Sequence, residues 1–294
     1  MPAPEEPLTV AATARRVGVA PATLRTWDRR YGLGPSEHQA GAHRRYCALD
    51  VARLMMMRRL ISTGVAPCQA AEIAKSDNGK TPLAKIKHSF QSRDELVSAV
   101  FKAVQICDSA FTESELKKDV TAHGVVSSWS EVIAPLLILV GKTWEETDKG
   151  IAAEHLLTEI IKNVLRDSIK EIKIAHNAQP VLLAAVGQEI HCLALHALVA
   201  ALAERRIKTH YLGARTPMAA LSTMVSRSAP PAVFLWAQLK ENAQPEFFRG
   251  LPDVRPAPRI VLGGPGWDRN ECSDVAFVED LEQACQEIGR AVGL

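Results

Sequence analysis

A winged helix-turn-helix, then a helical bundle, then a doubly wound α/β domain with a Rossmann- or flavodoxin-like parallel sheet is the fold this 294-residue chain predicts. Three observations carry that prediction. The first 76 residues hold eleven Lys/Arg against six Asp/Glu, a local +5 in a chain of net +2, which leaves −3 for the remainder. From about Leu83 to His176 apolar residues recur at three and four, and proline is nearly absent. Beyond Pro180 short continuous apolar runs alternate with helical patterns, as a parallel sheet covered on both faces requires. The boundaries that follow are a head over 1–76, a linker over 77–88 with the turn-rich Ser76-Asp-Asn-Gly-Lys-Thr-Pro82, a bundle over 89–177 and an α/β domain over 178–294.

Composition narrows the class further. Hydrophobic residues make up 47% and charged residues 23%, which excludes a disordered, collagenous or fibrous chain. The start lacks the basic and apolar regions of a signal peptide. Apolar stretches such as 133–140 fall short of the roughly 18 residues of a membrane span, so a cytoplasmic protein with no membrane partner is expected. Cys47, Cys68, Cys107, Cys192, Cys272 and Cys285 lie far apart with no C-x-x-C pair, and are expected to be reduced packing residues.

In the head, Thr9 is placed to cap a short helix over 10–17 that Gly18 stops, and Pro21 opens a second helix running to about Arg30. Two short helices joined through a glycine-containing turn outline a helix-turn-helix. The second presents Thr23, Arg25, Thr26, Arg29, Arg30 and Tyr31, hydroxyls for close approach and guanidiniums for phosphate or guanine. His43-Arg44-Arg45-Tyr46 follows a Gly/Pro/Ser-rich stretch and suits a wing on the DNA backbone. Taken singly, Trp27 and Tyr31 read as core or helix-packing aromatics before DNA contacts, and Arg15 and Arg16 as solvated. These residues, Thr9 to Leu33 with the His-Arg-Arg-Tyr run, Asp50-Val51 and Arg58-Arg59-Leu60, resemble the start of MerR-type transcription regulators. The resemblance implies double-stranded DNA as partner and self-association into a homodimer or homotetramer.

In the body, Trp144 lies in a polar stretch, and nine residues later comes Glu154-His155. On residue chemistry alone the tryptophan is either a packing residue or a flat face for a ligand, and the Glu-His pair either capping or functional. Strands are expected over 181–186, 209–212, 232–237 and 259–262, with helices over 192–206, after Thr216-Pro217, and over 281–292. In such sheets ligands sit beyond the carboxyl ends of the strands. Glu189-Ile-His191 falls there, where an imidazole with a carboxylate to orient it is either a metal ligand or a structural residue. Gly263-Gly264-Pro-Gly266 permits close backbone approach and is not a dinucleotide fingerprint.

Together these features resemble the cobalamin-binding module of the light-sensing, CarH/LitR-like MerR-type repressors. The resemblance implies that Trp144, Glu154 and His155 cap the upper face of a cobalamin such as adenosylcobalamin. It also implies that His191, assisted by Glu189, is the lower cobalt ligand, and that Gly263 and Gly264 lie near the nucleotide tail. The chain departs from that pattern at three places. Ala194 stands where glycine is expected, Trp236 or Ala237 where a small hydroxyl residue lines the tail channel, and Glu145 where a histidine follows the tryptophan. An indole at Trp236 is expected to fill the channel. The function read from this is a non-enzymatic, DNA-binding regulator whose body senses a ligand and sets oligomeric state and DNA affinity. The alternatives are a regulator with a degenerate, cofactor-free module acting through a regulatory protein partner or another ligand, and a cobalamin-dependent methyltransferase component.

Overall fold

Local chemistry fixes the head's first turns. A computed structural model describes residues 6–36, 43–62, 64–77, 90, 92–146, 151–270, 272 and 275–294, with the backbone alone for 143–146 and 151–152. The chain forms two compact units, divided between Thr112 and Glu113. In the first, β1 (Leu8–Thr9) runs into α1 (Val10–Val17), whose Ala12 N–H donates to the Thr9 hydroxyl at 3.2 Å. Gly18, at φ 72°, ends α1 in the left-handed region. After it, α2 (Pro21–Tyr31) starts on its proline. β2 (Arg45–Tyr46) returns antiparallel to β1, pairing Tyr46 with Leu8 and Arg45 with Thr9. Then α3 (Ala48–Ser62) and α4 (Pro67–Ser76) pack together over a core that includes Leu24, Trp27, Tyr46, Leu54, Met57 and Leu60.

This first unit runs past the expected head boundary at residue 76. α5 (Arg93–Gln105), expected as the first bundle helix, packs on α3. Just beyond it, the nearly buried Arg59 of α3 sits 5.2 Å from the centroid of the Phe111 ring and 3.8 Å from Asp108. A buried guanidinium needs an anion and a π face, and the segment after α5 supplies both. The expected linker lies outside the described residues except for Asp77.

The second unit begins within α6 (Ser109–His123). A continuous helical run follows: α7 (Val125–Ser128), a π turn (Trp129–Ile133) and α8 (Ala134–Glu146). Its residues Val125–Lys142 average a hydropathy of 1.5 over 18 residues, with a third of them buried. That length is hidden in the sequence because serines and Glu131 interrupt the apolar pattern. α7 packs on α10 and α8 on α9 (Ile151–Ser168).

The α/β part alternates as expected: β3 (Val181–Ala185), α10 (Leu193–Glu204), β4 (Thr209–Tyr211), α11 (Met218–Ser228), β5 (Ala232–Trp236), α12 (Glu246–Arg249), β6 (Arg259–Gly263), β7 (Ala276–Val278) and α13 (Leu281–Ala291). The five strands are parallel in the order β4-β3-β5-β6-β7. Alternation sorts the two faces. Leu182, Ala184, Val233 and Leu235 pack with Leu221, Val225 and Phe248 from α11 and α12. Phe234 points to the opposite face, shared with α10 and α13. The edge strand β7 is absent from the sequence-based expectation. The cysteines form no disulfide, and Cys272 and Cys285 are buried while Cys68 and Cys107 are exposed. Burial pushes the Cys285 thiol up to about 12, so it is an inert packing group.

Candidate functional site

The head offers a basic face on α2. Arg25, Arg29 and Arg30 of α2 are exposed and form no ion pair among the described residues. Thr23 and Thr26 are half-buried between them, and the Thr26 hydroxyl donates back to the Ala22 carbonyl at 3.0 Å. Tyr31 is half-buried and packs onto the head core. On the wing, His43 and Arg45 are exposed.

Two wing residues stand differently from expectation. Arg44 pairs through Nε with Asp28 of α2 at 3.2 Å, tying wing to helix. Tyr46, expected on the DNA-facing surface, is fully buried. Side chains alternate along a strand, so an outward Arg45 sends Tyr46 into the core. Burial, and secondarily the Asp28 carboxylate, push its phenol above the ordinary range. Asp28 is a site residue that sequence reasoning does not find, because it carries no pattern of its own.

At the carboxyl ends of the strands the centre is Glu189, a fully buried carboxylate. Its Oε1 accepts from the His191 backbone N–H at 2.8 Å and lies 2.6 Å from His191 Nδ1. Its Oε2 accepts from the backbone N–H groups of Gln238 (2.8 Å) and Leu239 (2.9 Å), and from Asn242 Nδ2 (3.2 Å). Burial works to raise the Glu189 pKa. The His191 and Leu239 amides, the His191 ring and the Gln238 amide outweigh it and bring it down to about 2. The group is therefore a permanent anion that knots the loop after β3 to the loop after β5. Asn242, whose Oδ1 also accepts from the Gln188 N–H at 3.2 Å, belongs to this knot and carries no sequence signal.

The imidazole of His191 is half exposed, with its Nδ1 held on Glu189. A carboxylate partner puts the proton on Nδ1, and no hydrogen bond reaches Nε2 among the described residues. Large apolar side chains are exposed beside the pair, Ile190 at 54% and Leu239 at 40%.

Trp236 ends β5, and its indole N–H donates to the His191 carbonyl at 2.7 Å. The indole is a wall, not a plug. A cavity of about 390 Å³ remains beside it, lined by Ala194 and Leu198 of α10, Phe234, Gly263, Gly264, Phe277, Ala284 and, from the π turn, Trp129. Trp236 lines this cavity without filling it, and its hydrogen bond ties the ring to the loop after β3. Glycine is needed on the far wall. A Cβ on Gly263 would collide with the Phe234 ring, and one on Gly264, at φ +103°, with the Ala237 carbonyl.

The structure thus brings together Glu189, His191 and Trp236 by hydrogen bonds, and Ala194, Trp236, Gly263 and Gly264 around one cavity. Trp144 lies in α8 with its side chain outside the described residues, as is that of Glu145. Glu154 is half-buried and His155 exposed in α9, and neither lines the cavity.

Comparison with known proteins agrees with the head's geometry. The family described as MerR HTH family regulatory protein matches residues 8–77. The HTH-type transcriptional repressor CarH of Myxococcus xanthus is 27% identical over 268 residues, covering 90% of this chain and 88% of that protein. CarA, an HTH-type transcriptional repressor of the same organism, is 27% identical over 270 residues, covering 88% of this chain and 87% of its own. Among solved structures, the monomethylamine corrinoid protein of Methanosarcina barkeri is 14% identical with a TM-score of 0.47, covering 66% of this chain and 97% of that one. The chain thus carries a head over 8–77 that matches the MerR HTH family, and it is similar along nearly its whole length to two transcriptional repressors.

Proposed function

We propose that this chain is a transcription regulator that binds double-stranded DNA through its head and a cobalamin through its body, and that the bound state sets self-association and DNA affinity. The observation that carries the cofactor reading is the half-exposed His191, its Nδ1 held by the buried Glu189 at the carboxyl ends of the strands, beside an apolar cavity. The donor set fits a corrinoid. An imidazole whose Nε2 has no hydrogen bond among the described residues suits a metal ligand, and exposed Ile190 and Leu239 give apolar surface for a flat macrocycle to cover. His191 would hold the cobalt and Glu189 would fix the imidazole. Gly263 and Gly264 would admit the nucleotide tail to the cavity along Trp236, and Trp144, Glu154 and His155 would cover the upper face. When bound, cobalamin supplies an exchangeable upper cobalt ligand as the signal. The division into head, bundle and α/β domain at 76, 89 and 178 belongs to the same proposal.

The test is the absorption spectrum of protein mixed with adenosylcobalamin and desalted in the dark. The wild type is expected to retain the cofactor stoichiometrically, and His191→Ala to lose the signature of imidazole ligation. Identical spectra for the two proteins would overturn the ligand role. One observation favours a second reading, a module without cofactor that acts through a partner protein or another ligand. Trp236 and Ala194 stand in the cavity wall, where each is bulkier than the residue the resemblance implies and narrows the space for a tail. That reading expects no retention by the wild type.

On DNA, a single head buries little surface, so a symmetric pair of heads on two half-sites is the expected binding unit. Arg25, Arg29 and Arg30 face outward without ion pairs among the described residues, while Arg44 is committed to Asp28. Arg45→Ala is expected to weaken binding to all duplex sequences alike. The slope of log affinity against log salt should fall by about 0.9 for each phosphate the variant no longer neutralises. Gel-shift titrations from low to moderate salt measure this, and an unchanged slope would remove Arg45 from the residues that touch the DNA backbone.

A further inference from the structure

Arg58 and Arg59 are neighbours on α3, and their guanidiniums hold segments that are distant in sequence. Arg58 Nη1 donates to the Val17 carbonyl, the last of α1, at 2.7 Å. Its Nη2 donates to the carbonyl of Ile106, the residue that caps the end of α5, at 3.1 Å. Both acceptors lie at helix ends, where carbonyls lack an intrahelical donor and carry the negative end of the helix dipole. A planar fork with several N–H donors can serve two such carbonyls at once. Gly18 makes room for it, since a Cβ there would collide with the Arg58 guanidinium. Beside this clamp a cavity of about 220 Å³ lies among Val17, Met55, Arg58, Cys107 and Asp108. The fork, rather than close packing, thus spans the gap between α1 and the segment after α5. Arg59 holds that same segment through Asp108 and Phe111. Asp108 Oδ1 in turn accepts from the Phe111 N–H at 3.1 Å, in the first turn of α6.

We infer that Arg58 is a positioning residue for DNA binding: by tying the end of α1 to the end of α5, it makes the placement of the helix-turn-helix depend on the segment 106–111. The path is short. Val17 is followed by Gly18-Val19-Ala20 and then by α2, which carries Arg25, Arg29 and Arg30. A shift of the Val17 carbonyl therefore moves the turn that aims α2. On the other side, Asp108 and Phe111 lead into α6, the helix in which the first unit ends and the second begins. Arg58 spends its donors on carbonyls and pairs with no carboxylate among the described residues. Its effect on DNA thus runs through α1 and not through a phosphate. The inference rests on the head as the DNA-binding part and names how its grip is regulated. It is independent of the cobalamin reading.

The test is a double-mutant cycle in the full chain, read by two measurements. Asp108→Ala loosens the segment 106–111, and Arg58→Met removes the fork while keeping an apolar stem. Backbone hydrogen exchange by mass spectrometry follows residues 10–19, and gel-shift titration follows binding to a mixed-sequence duplex. With Arg58 present, Asp108→Ala is expected to speed exchange across 10–19 by about five-fold and to weaken duplex binding by about as much. In the Arg58→Met background the same change should alter either quantity by less than about two-fold. Arg58→Met itself should bind duplex more weakly, with the salt slope of the wild type. Equal effects of Asp108→Ala in both backgrounds would overturn the inference. So would a salt slope lower by about 0.9, which would make Arg58 a phosphate contact. Asp108→Asn, which keeps an acceptor for the Phe111 N–H and removes the charge, takes the place of Asp108→Ala if circular dichroism shows that variant unfolded. Absence of duplex binding by the wild type would overturn the DNA reading, and with it the role of Arg58 on DNA. The exchange cycle would then still decide whether α1 is coupled to 106–111.

Discussion

Glu189→Ala is expected to destabilise the α/β part by about 3–5 kcal/mol, because it strips a buried anion from four amide donors and the His191 ring at once. The backbone N–H groups of His191, Gln238 and Leu239 and the Asn242 amide would all lose their acceptor, in a place where Glu189 itself is inaccessible to water. Urea unfolding measures the loss, and a change under about 1 kcal/mol would mean that the two loops find other partners. The pH dependence gives an independent sign. The Glu189 pKa is about 2 in the folded chain against an ordinary 4.5. Its stabilisation is therefore complete above pH 4.5 and drains away as pH falls through that value toward 2. The shift corresponds to roughly 3 kcal/mol at full strength. Glu189→Gln keeps the shape and removes the charge, so the wild-type advantage over it should be large at about pH 6 and shrink steadily below about pH 4.5. An advantage that is constant from about pH 6 to about pH 3 would show that charge plays no part.

Elements built by neighbours in sequence were legible, and relations closed by distant segments were not. Thr9, Gly18 and Pro21 mark their helix ends by local hydrogen bonding and backbone geometry, and α1 and α2 begin where those residues put them. The strands β3, β5 and β6 are continuous apolar runs because helices cover both faces. β7 is three residues long and only Val278 of it is buried, too little to carry a period. Tyr46 turns inward through pairing with Leu8, in a distant part of the head, a register no local pattern encodes. Asn242 reaches Glu189 across 53 residues, and Asp28 reaches Arg44 across 16. The same limit explains Trp236. Its place at the end of β5 is readable, but the direction of its ring depends on the His191 carbonyl, which belongs to another loop. His191 itself is found through Glu-Ile-His and a family resemblance. The structure adds why that spacing works: the carboxylate can hold both the backbone and the ring of the residue two places on.

Gly264→Ala is expected to be the most damaging glycine substitution at the site, and a three-member series isolates the reason. Gly141 lies within α8 with nothing within 4 Å of an added methyl, so Gly141→Ala should stabilise by about 0.5–1 kcal/mol through the lower entropy of the unfolded chain. Gly213 has open space but sits at φ +86°, so Gly213→Ala should cost about 1–2 kcal/mol from backbone strain alone. Gly264 combines φ +103° with a collision against the Ala237 carbonyl, which is backbone and cannot swing away as a side chain would. The Gly266 N–H also donates to that carbonyl at 3.0 Å, so the clash pushes on the turn that frames the cavity. Strain and overpacking together should cost about 3–5 kcal/mol. Thermal unfolding of the three variants measures the order. If Gly264→Ala fell no further than Gly213→Ala, the close approach of the two loops would not be what holds that wall of the cavity.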